Sequence, residues 1–167
     1  MAFTTHILVL ANRTVDAPTL LSALEQRALG GPLAVTLLVP AAPAEREAAT
    51  VRLDVALEHL RGHGIEAEGR ISAADPVIAV DEEYDNRRYD EIIVSTFAAG
   101  SSAWLASGLP ERVRKLTDAI VHHVVVPLRE SAAPAAQPAA PAASIPLVER
   151  MLGLLRVDTN RFGRPQA

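Results

Sequence analysis

Short apolar runs alternate with longer amphipathic stretches over the first 127 residues of the chain. Four of the runs are mostly continuous, which is typical of strands buried on both faces of a parallel sheet. In the third run, Ile65, Ala67 and Ile71 alternate with polar residues, a pattern that favours a strand at a sheet edge. The predicted strands cover residues 6–11, 33–39, 65–71, 90–95 and 121–126.

The segments between these runs carry helix signals. Asp16 is predicted to cap the first helix, with Pro18 in its first turn, where a missing N–H costs nothing. Asp75 starts the third helix, and Gly108 precedes the fourth. The second helix is predicted over residues 45–61, with one side formed by Ala48, Val51 and Val55. Strands that alternate with helices predict a doubly wound parallel sheet, because parallel neighbours need crossover connections.

The composition changes abruptly after the last predicted strand. Residues 1–128 are predicted to form the α/β domain, and residues 129–146 are rich in alanine and proline. Such a segment buries too little apolar surface to offset its ordering entropy, so a semi-extended linker is expected. Within residues 147–167, leucines at helical spacing predict a short amphipathic helix and tail. This helix would dock on a protein partner or its own domain; its near-neutral charge makes a membrane surface the weaker choice.

Chain length, composition and net charge limit the classes of protein to which this chain can belong. With 167 residues the chain can bury one sizeable core, and the absence of cysteine excludes disulfides and thiolate-bound metals. The net charge of -4 gives no reason to expect a nucleic-acid partner. No apolar run approaches the length of a membrane span, and the N-terminus lacks the features of a signal peptide. A soluble cytoplasmic protein is expected.

The predicted topology points to one crevice. In doubly wound sheets, ligands bind beyond the carboxyl ends of the strands, where the strand order reverses. If the fourth strand returns beside the first, the crevice lies between them, with walls at 11–14 and 95–108 and with Val39 nearby. Free N–H groups of the helix after Gly108 would favour an anion there. Trp104 in this loop is expected to anchor it to the sheet, the alternative being a base-stacking side chain.

Histidines are the other candidates for chemistry. His59 and His63 are four residues apart, which is metal-ligand spacing on a helix. Gly62 is expected to end the helix between them and the sequence shows no third ligand, so solvated side chains and no metal site are predicted. His122 and His123 occupy adjacent strand positions, and their side chains are therefore expected on opposite faces of the sheet.

The chain lacks the short motifs of several enzyme classes. It has no G-x-S-x-G nucleophile elbow, no P-loop, and no G-x-G-x-x-G after the first strand. The hydroxyl residues near the crevice have no base or acid close to them in sequence. An enzymatic function is therefore not expected.

Three stretches resemble the universal stress protein family. They are the opening ILVLANRT at 7–14, the Asp75-Pro76 helix start and the block 92–126, and the resemblance covers residues 4–127. It implies a Rossmann-like sheet of the adenine nucleotide alpha hydrolase type, with strand order 3-2-1-4-5. It further implies a stress-response protein that forms a homodimer through the last strand, residues 121–126.

The resemblance also implies a nucleotide site. Nucleotide-binding members of the family carry G-x2-G-x9-G-[S/T] after strand four, which holds the phosphates and ribose of ATP, and an aspartate after strand one that contacts adenine. Here only Gly108 matches the motif, and Asn12 stands in the place of the aspartate. The other three motif positions carry Ser95, Ala98 and Leu109. Topology and resemblance together select Ala11, Asn12, Arg13, Val39, Ser95, Thr96, Ala98, Gly100, Gly108 and Leu109.

Two hypotheses follow from the sequence. The first is a universal-stress-type regulatory protein that binds an adenine nucleotide, ATP or AMP, or a similar small anion at the crevice. Pro110 removes one N–H donor from that anion site, and Leu109 brings no hydroxyl group. The alternative is an interaction or scaffold protein without a nucleotide, which acts through dimerisation and the tethered helix within residues 147–167.

Overall fold

A computed structural model describes residues 3–85 and 88–132 of the chain. Of the predicted linker only residues 129–132 fall within this part, and the predicted helix and tail at 147–167 lie outside it. No helix in the described part is long and apolar enough to cross a membrane. The elements are β1 Thr5–Leu10, α1 Pro18–Ala28, β2 Leu33–Pro40, a 3-10 turn Pro43–Glu45, α2 Arg46–Gly62, β3 Glu66–Ser72, α3 Pro76–Glu83, β4 Glu91–Phe97, α4 Ala103–Ala106, α5 Leu109–Leu116, β5 Ile120–Val126 and a second 3-10 segment Leu128–Ala132.

The five strands form one parallel sheet in the order β3-β2-β1-β4-β5. This confirms the predicted fold class, strand order and edge position of β3. The register places Ile7 of β1 beside Val35 of β2 and Glu91 of β4. The order reverses between β1 and β4, so the carboxyl ends of these two strands flank the predicted crevice.

Helices α1 and α2 cover one face of the sheet. Leu20 and Leu24 of α1 and Leu60 of α2 are fully buried there against odd-numbered residues of β1 and β2. On the opposite face, Leu109 and Val113 of α5 pack against even-numbered residues of the central strands. The alternation follows from the pleat of a strand, which sends successive side chains to opposite faces.

The start of α3 confirms the prediction for Asp75. Its carboxylate accepts hydrogen bonds from the backbone N–H groups of Val77, at 2.8 Å, and Ile78, at 3.2 Å. A side-chain oxygen in this position satisfies donors that the first helical turn leaves unpaired.

The start of α1 differs from the prediction, because Ala17 rather than Asp16 is the N-cap residue. The first turn of α1 is capped by a residue that is distant in the sequence. The Glu130 carboxylate accepts hydrogen bonds from Thr19, at 3.0 Å from the backbone nitrogen and 2.8 Å from the hydroxyl. No local sequence signal indicates this cap, since the two residues are 111 positions apart.

The buried side of α2 also differs from the prediction. Val51 and Val55 are 61% and 42% exposed, and Ala48 is exposed as well. The helix instead buries a stripe that carries three leucines, because larger side chains on that side remove more apolar surface from water. The buried residues of α2 are Ala49, Leu53, Ala56, Leu57 and Leu60.

Candidate functional site at the carboxyl edge of the sheet

A cleft of about 190 Å³ lies where β1 and β4 end. The loop after β1 forms one wall, and the end of β4 with the loop that follows forms the other. Most of the lining side chains are small or carry hydroxyl groups. The lining residues are Asn12, Arg13, Thr14, Ser95, Thr96, Phe97, Ser101, Ser102, Ala103 and Trp104.

Asn12 is held by protein contacts on both sides of its amide. Its Nδ2 donates to the carbonyl oxygen of Pro40 at 2.8 Å, and its Oδ1 accepts from Nη2 of Arg52 at 3.4 Å. The amide thus joins the ends of β1 and β2 to α2. Because both polar atoms already have partners, a base would have to share or displace one of them.

Asp16 lies on the same loop and close to Arg52. Burial raises the pKa of the Asp16 carboxyl group, while a backbone hydrogen bond and then the charge of Arg52 act in the opposite direction. The net shift means that this site disfavours negative charge on Asp16. Nη2 of Arg52 donates to Asn12 and its charge acts on Asp16, while its buried Nε has no hydrogen-bond partner among the described residues.

Arg13 is the cation that faces the cleft. Its side chain is exposed, and it makes no ion pair with another described residue. Its neighbour Thr14 is 2% exposed and donates its hydroxyl proton to the carbonyl oxygen of Ser95 at 3.2 Å. This bond fixes the loop against β4 and leaves the Arg13 guanidinium at the wall of the cleft.

The end of β4 supplies two buried hydroxyl groups. Ser95 is 1% exposed, and its Oγ has no hydrogen-bond partner among the described residues. Thr96 donates to the Phe97 carbonyl at 2.9 Å, so its hydroxyl can only accept from Nε2 of His123 at 2.8 Å. Burial is the main cause that lowers the pKa of His123; the charge of Arg114 adds to this shift and Glu111 opposes it. The lowered pKa favours the neutral ring, whose Nε2 donates to Thr96.

The loop after β4 is shaped by two glycines and a short helix. Gly100 and Gly108 have φ values of 87° and 66°, in the left-handed region that glycine adopts at little cost. Between them, Ser102 caps α4 by accepting from the Leu105 N–H at 3.2 Å. Trp104 packs against the core under α3 and α5 and also lines the cleft, as expected of a side chain that anchors the loop.

The start of α5 is poorly suited to a phosphate chain. Leu109 is fully buried in the core, and Pro110 has no N–H to donate. Glu111 adds a carboxylate to the first turn, where it competes with an anion for the positive helix end. A Cβ atom at Gly108 would lie 3.9 Å from Oε2 of Glu111, which leaves room for it, so this glycine serves the backbone turn.

The structure brings four of the ten predicted site residues together. Asn12, Arg13, Ser95 and Thr96 line the cleft. Three others have side chains buried in the hydrophobic cores: Ala11, Val39 and Leu109. The remaining three lie in the loop after β4 or at the start of α5, and they do not line the cleft: Ala98, Gly100 and Gly108.

Six other residues line the cleft, all inside the predicted walls 11–14 and 95–108 but outside the ten selected positions: Thr14, Phe97, Ser101, Ser102, Ala103 and Trp104. β4 continues to Phe97, two residues beyond the predicted end at Ser95, and α4 was not predicted. The β-branched and aromatic pair Thr96-Phe97 was the signal for the longer strand.

A second cavity, of about 470 Å³, lies near the amino ends of β1, β2 and β3. Its lining includes Glu66, Glu68 and Asp85, against the single arginine Arg88, which pairs with Glu68. The excess of carboxylates makes this larger cavity unfavourable for an anion. The smaller cleft at the carboxyl edge is therefore the better candidate for a phosphate-bearing ligand.

Comparison of this fold with solved structures finds universal stress proteins. One, in complex with cAMP, shares 18% identity at a TM-score of 0.56, covering 75% of this chain and 99% of the other. Another, from Archaeoglobus fulgidus in complex with dAMP, shares 16% identity at a TM-score of 0.52, covering 74% and 99%. No protein-family model matches the chain, and no curated protein matches its sequence.

At 16% and 18% identity, the similarity to these solved structures establishes the fold of the chain. The described part of the chain has the Rossmann-like architecture of universal stress proteins, with helices on both sides of a parallel sheet. The match spans nearly the whole length of those structures and leaves about a quarter of this chain unmatched.

Proposed function

We propose that this protein is a universal-stress-type regulatory protein that binds an adenosine monophosphate, or a similar small anion, in the cleft between β1 and β4. The observation that carries the proposal is the Arg13 guanidinium, which lines the cleft and has no acidic partner among the described residues. An unpaired arginine suits a phosphate, since its fork of N–H donors matches phosphate oxygens. The solved neighbours named above contain cAMP and dAMP, which are adenine monophosphates.

The shape of the site favours a monophosphate over ATP. The cleft of about 190 Å³ is smaller than the roughly 300–1,000 Å³ of typical small-molecule sites, so it encloses only part of a nucleotide. At the start of α5, Pro110 and the Glu111 carboxylate oppose a longer phosphate chain. Arg13 with the hydroxyl groups of Ser101 and Ser102 would hold one phosphate, and the partly exposed Trp104 lies beside them.

The single tryptophan provides the readout for this proposal. Because Trp104 lines the cleft, AMP is expected to change its fluorescence saturably. Arg13→Gln removes the charge while keeping a polar side chain, and it should weaken AMP binding at least about tenfold. ATP should bind no more tightly than AMP.

Arg112→Gln is the matched control, because Arg112 is an exposed arginine on α5 outside the cleft lining. It should leave AMP affinity unchanged. The proposal fails if calorimetry and fluorescence show no binding of AMP, cAMP or phosphate at millimolar concentration. It fails equally if Arg13→Gln and Arg112→Gln have the same effect.

We also propose that β5 pairs with a second copy of the chain. β5 is an edge strand of the described sheet, and a strand edge presents unpaired N–H and C=O groups. Its vicinity exposes apolar side chains: Ile120 is 63% exposed, Val125 47% and Leu128 55%. Light scattering should report a dimer that Val125→Lys dissociates, and a monomeric wild-type protein would refute this assembly.

A further inference from the structure

Two histidines of α2 and a glutamate of α1 converge at the amino edge of the sheet. Nε2 of His59 lies 2.5 Å from Oε1 of Glu25, and Nε2 of His63 lies 3.9 Å from the same oxygen. Helix α2 ends at Gly62, between the two histidines as predicted, and His63 is its C-cap residue. Glu25 is a third candidate ligand, which the sequence did not reveal because it lies on another helix.

From this geometry we propose that Glu25, His59 and His63 form a zinc site that joins α1 to α2. One ligand atom from each of the three side chains lies within 4.8 Å of the others. Around a tetrahedral zinc ion, with bonds of about 2.0–2.2 Å, neighbouring ligand atoms are about 3.4 Å apart. The observed separations of 2.5 and 3.9 Å lie on either side of that value, so small side-chain rotations suffice.

A backbone contact already fixes the His63 ring in the form that binds metal. Its Nδ1 lies 2.8 Å from the His59 carbonyl oxygen, which can only accept a hydrogen bond. The Nδ1 atom therefore carries a proton, which in the neutral tautomer leaves the lone pair on Nε2, 3.9 Å from the Glu25 oxygen. Hydrogen bonds of this kind to a backbone carbonyl are the usual second contact of histidines that bind metal.

The surroundings also favour a cation. Both histidines lie at the C-terminal end of α2, where the helix dipole is negative and unpaired carbonyl groups gather. Their rings stack with centroids 4.4 Å apart, which keeps the two imidazoles side by side. One zinc ion satisfies the two imidazoles and the carboxylate together. Three protein ligands leave a fourth position for water or an external ligand.

The site is independent of the nucleotide proposal. α1 and α2 each follow a parallel strand and run back along the sheet, so their C-terminal ends lie at the edge opposite the cleft. The ligand side chains are 30–53% exposed, so zinc can reach them from solvent. The chain has no cysteine, which removes thiolates as competing ligands.

Titration of the full-length protein with Zn²⁺, by calorimetry and by competition with a chromophoric chelator, tests the site. One equivalent should bind tightly, and it should raise the melting temperature because it binds only the folded arrangement. His59→Gln and His63→Gln should each weaken this binding at least about tenfold and abolish the rise in melting temperature. Glu25→Gln, which keeps a hydrogen-bonding side chain without the charge, should weaken it too.

His122→Gln is the matched control, since His122 lies on β5 near Glu91 and outside the cluster. It should bind Zn²⁺ as the wild-type protein does. Circular dichroism of the metal-free variants shows whether each is folded, and a variant that is unfolded is replaced by His63→Asn. The proposal is overturned if the wild-type protein binds no equivalent of Zn²⁺, or if the cluster variants bind it as tightly as His122→Gln.

Discussion

The two faces of the sheet differ most along β3. On the face covered by α1 and α2, the strand presents Ala67, Gly69 and Ile71 to an apolar core. On the opposite face, Glu68 accepts a hydrogen bond from the buried Thr36 at 3.1 Å and pairs with Arg88. One strand thus contributes to an apolar layer and to a polar one, because its side chains alternate between faces.

The lengths of the covering helices account for the difference. α2 has 17 residues and α3 has 8, so at about 1.5 Å per residue α2 spans roughly twice the distance. The shorter α3 leaves the amino ends of β1, β2 and β3 beside the cavity of about 470 Å³. Charged side chains such as Glu66 and Glu68 stay exposed there, whereas the residues under α2 are apolar. In this protein the short α3 thus leaves room for charged side chains on β3 that the long α2 excludes on the other face.

The largest effect that tests this contrast is expected from Leu60→Ala. Leu60 is fully buried under α2, and its truncation leaves a cavity in a close-packed layer. The free energy of unfolding should fall by about 2–5 kcal/mol, measured by urea denaturation. Glu66→Gln, in the exposed layer of β3, should change it by less than about 0.5 kcal/mol. Similar losses from both variants would contradict the contrast between the faces.

Glycine-to-alanine changes at two positions are expected to alter the free energy of unfolding by a smaller amount and in opposite directions. A Cβ atom at Gly69 would lie 2.7 Å from a methyl carbon of Leu53, so Gly69→Ala should destabilise by about 1–3 kcal/mol through overpacking. At Gly62, near the end of α2, a Cβ atom meets nothing within 4 Å. Gly62→Ala should therefore stabilise the protein by about 0.5–1 kcal/mol through helix propensity.

Thermal and urea unfolding of both alanine variants provide the measurement. Adding Leu53→Ala to Gly69→Ala should cost less than the sum of the two single changes, because the smaller side chain leaves room for the new methyl group. Strict additivity would show that the two side chains do not compete for space.

The features predicted correctly from the sequence are those that depend on local pattern. The alternation at Ile65, Ala67 and Ile71 identified β3 as an edge strand, and the Asp75-Pro76 pair identified the start of α3. The apolar runs and crossover helices were enough to predict a parallel sheet, whereas the strand order 3-2-1-4-5 came from the family resemblance. Each of these signals lies within about ten residues, where the period of the backbone determines which side chains share a face.

The features that were missed depend on contacts between distant segments. The carboxylate of Glu130 caps α1, and Glu25 completes the histidine cluster from a different helix. At the cleft, Asn12 and Arg13 were selected by position along the strand, and that placed them in the lining. Position alone did not reveal that Leu109 faces the core, because burial depends on which side of α5 meets the sheet.

A comparably small effect concerns Tyr89 in the polar layer, where its hydroxyl donates to Oε1 of Glu83 at 2.7 Å. Tyr89→Phe should cost about 1 kcal/mol at neutral pH through loss of this bond. The pKa of Tyr89 is raised to about 12, and burial is the largest cause. A hydrogen bond with Thr36 opposes this upward shift, whereas Glu83 adds to it. Since the phenol is harder to ionise in the folded state, stability should fall as the pH rises from about 10 to about 12.

Ultraviolet absorbance of tyrosinate in a Tyr84→Phe background measures this ionisation, because Tyr89 is then the only tyrosine. Denaturant unfolding of this variant across the same pH range should show that its free energy of unfolding declines as the pH rises. The decline should be smaller when Tyr89→Phe is added. Below the ordinary pKa of 10 the two proteins should keep a constant difference in stability, since the phenol is neutral in both states. Titration of Tyr89 near 10 would mean that water enters the polar layer freely, and the contrast between the two faces would then extend to solvent access as well as to residue type.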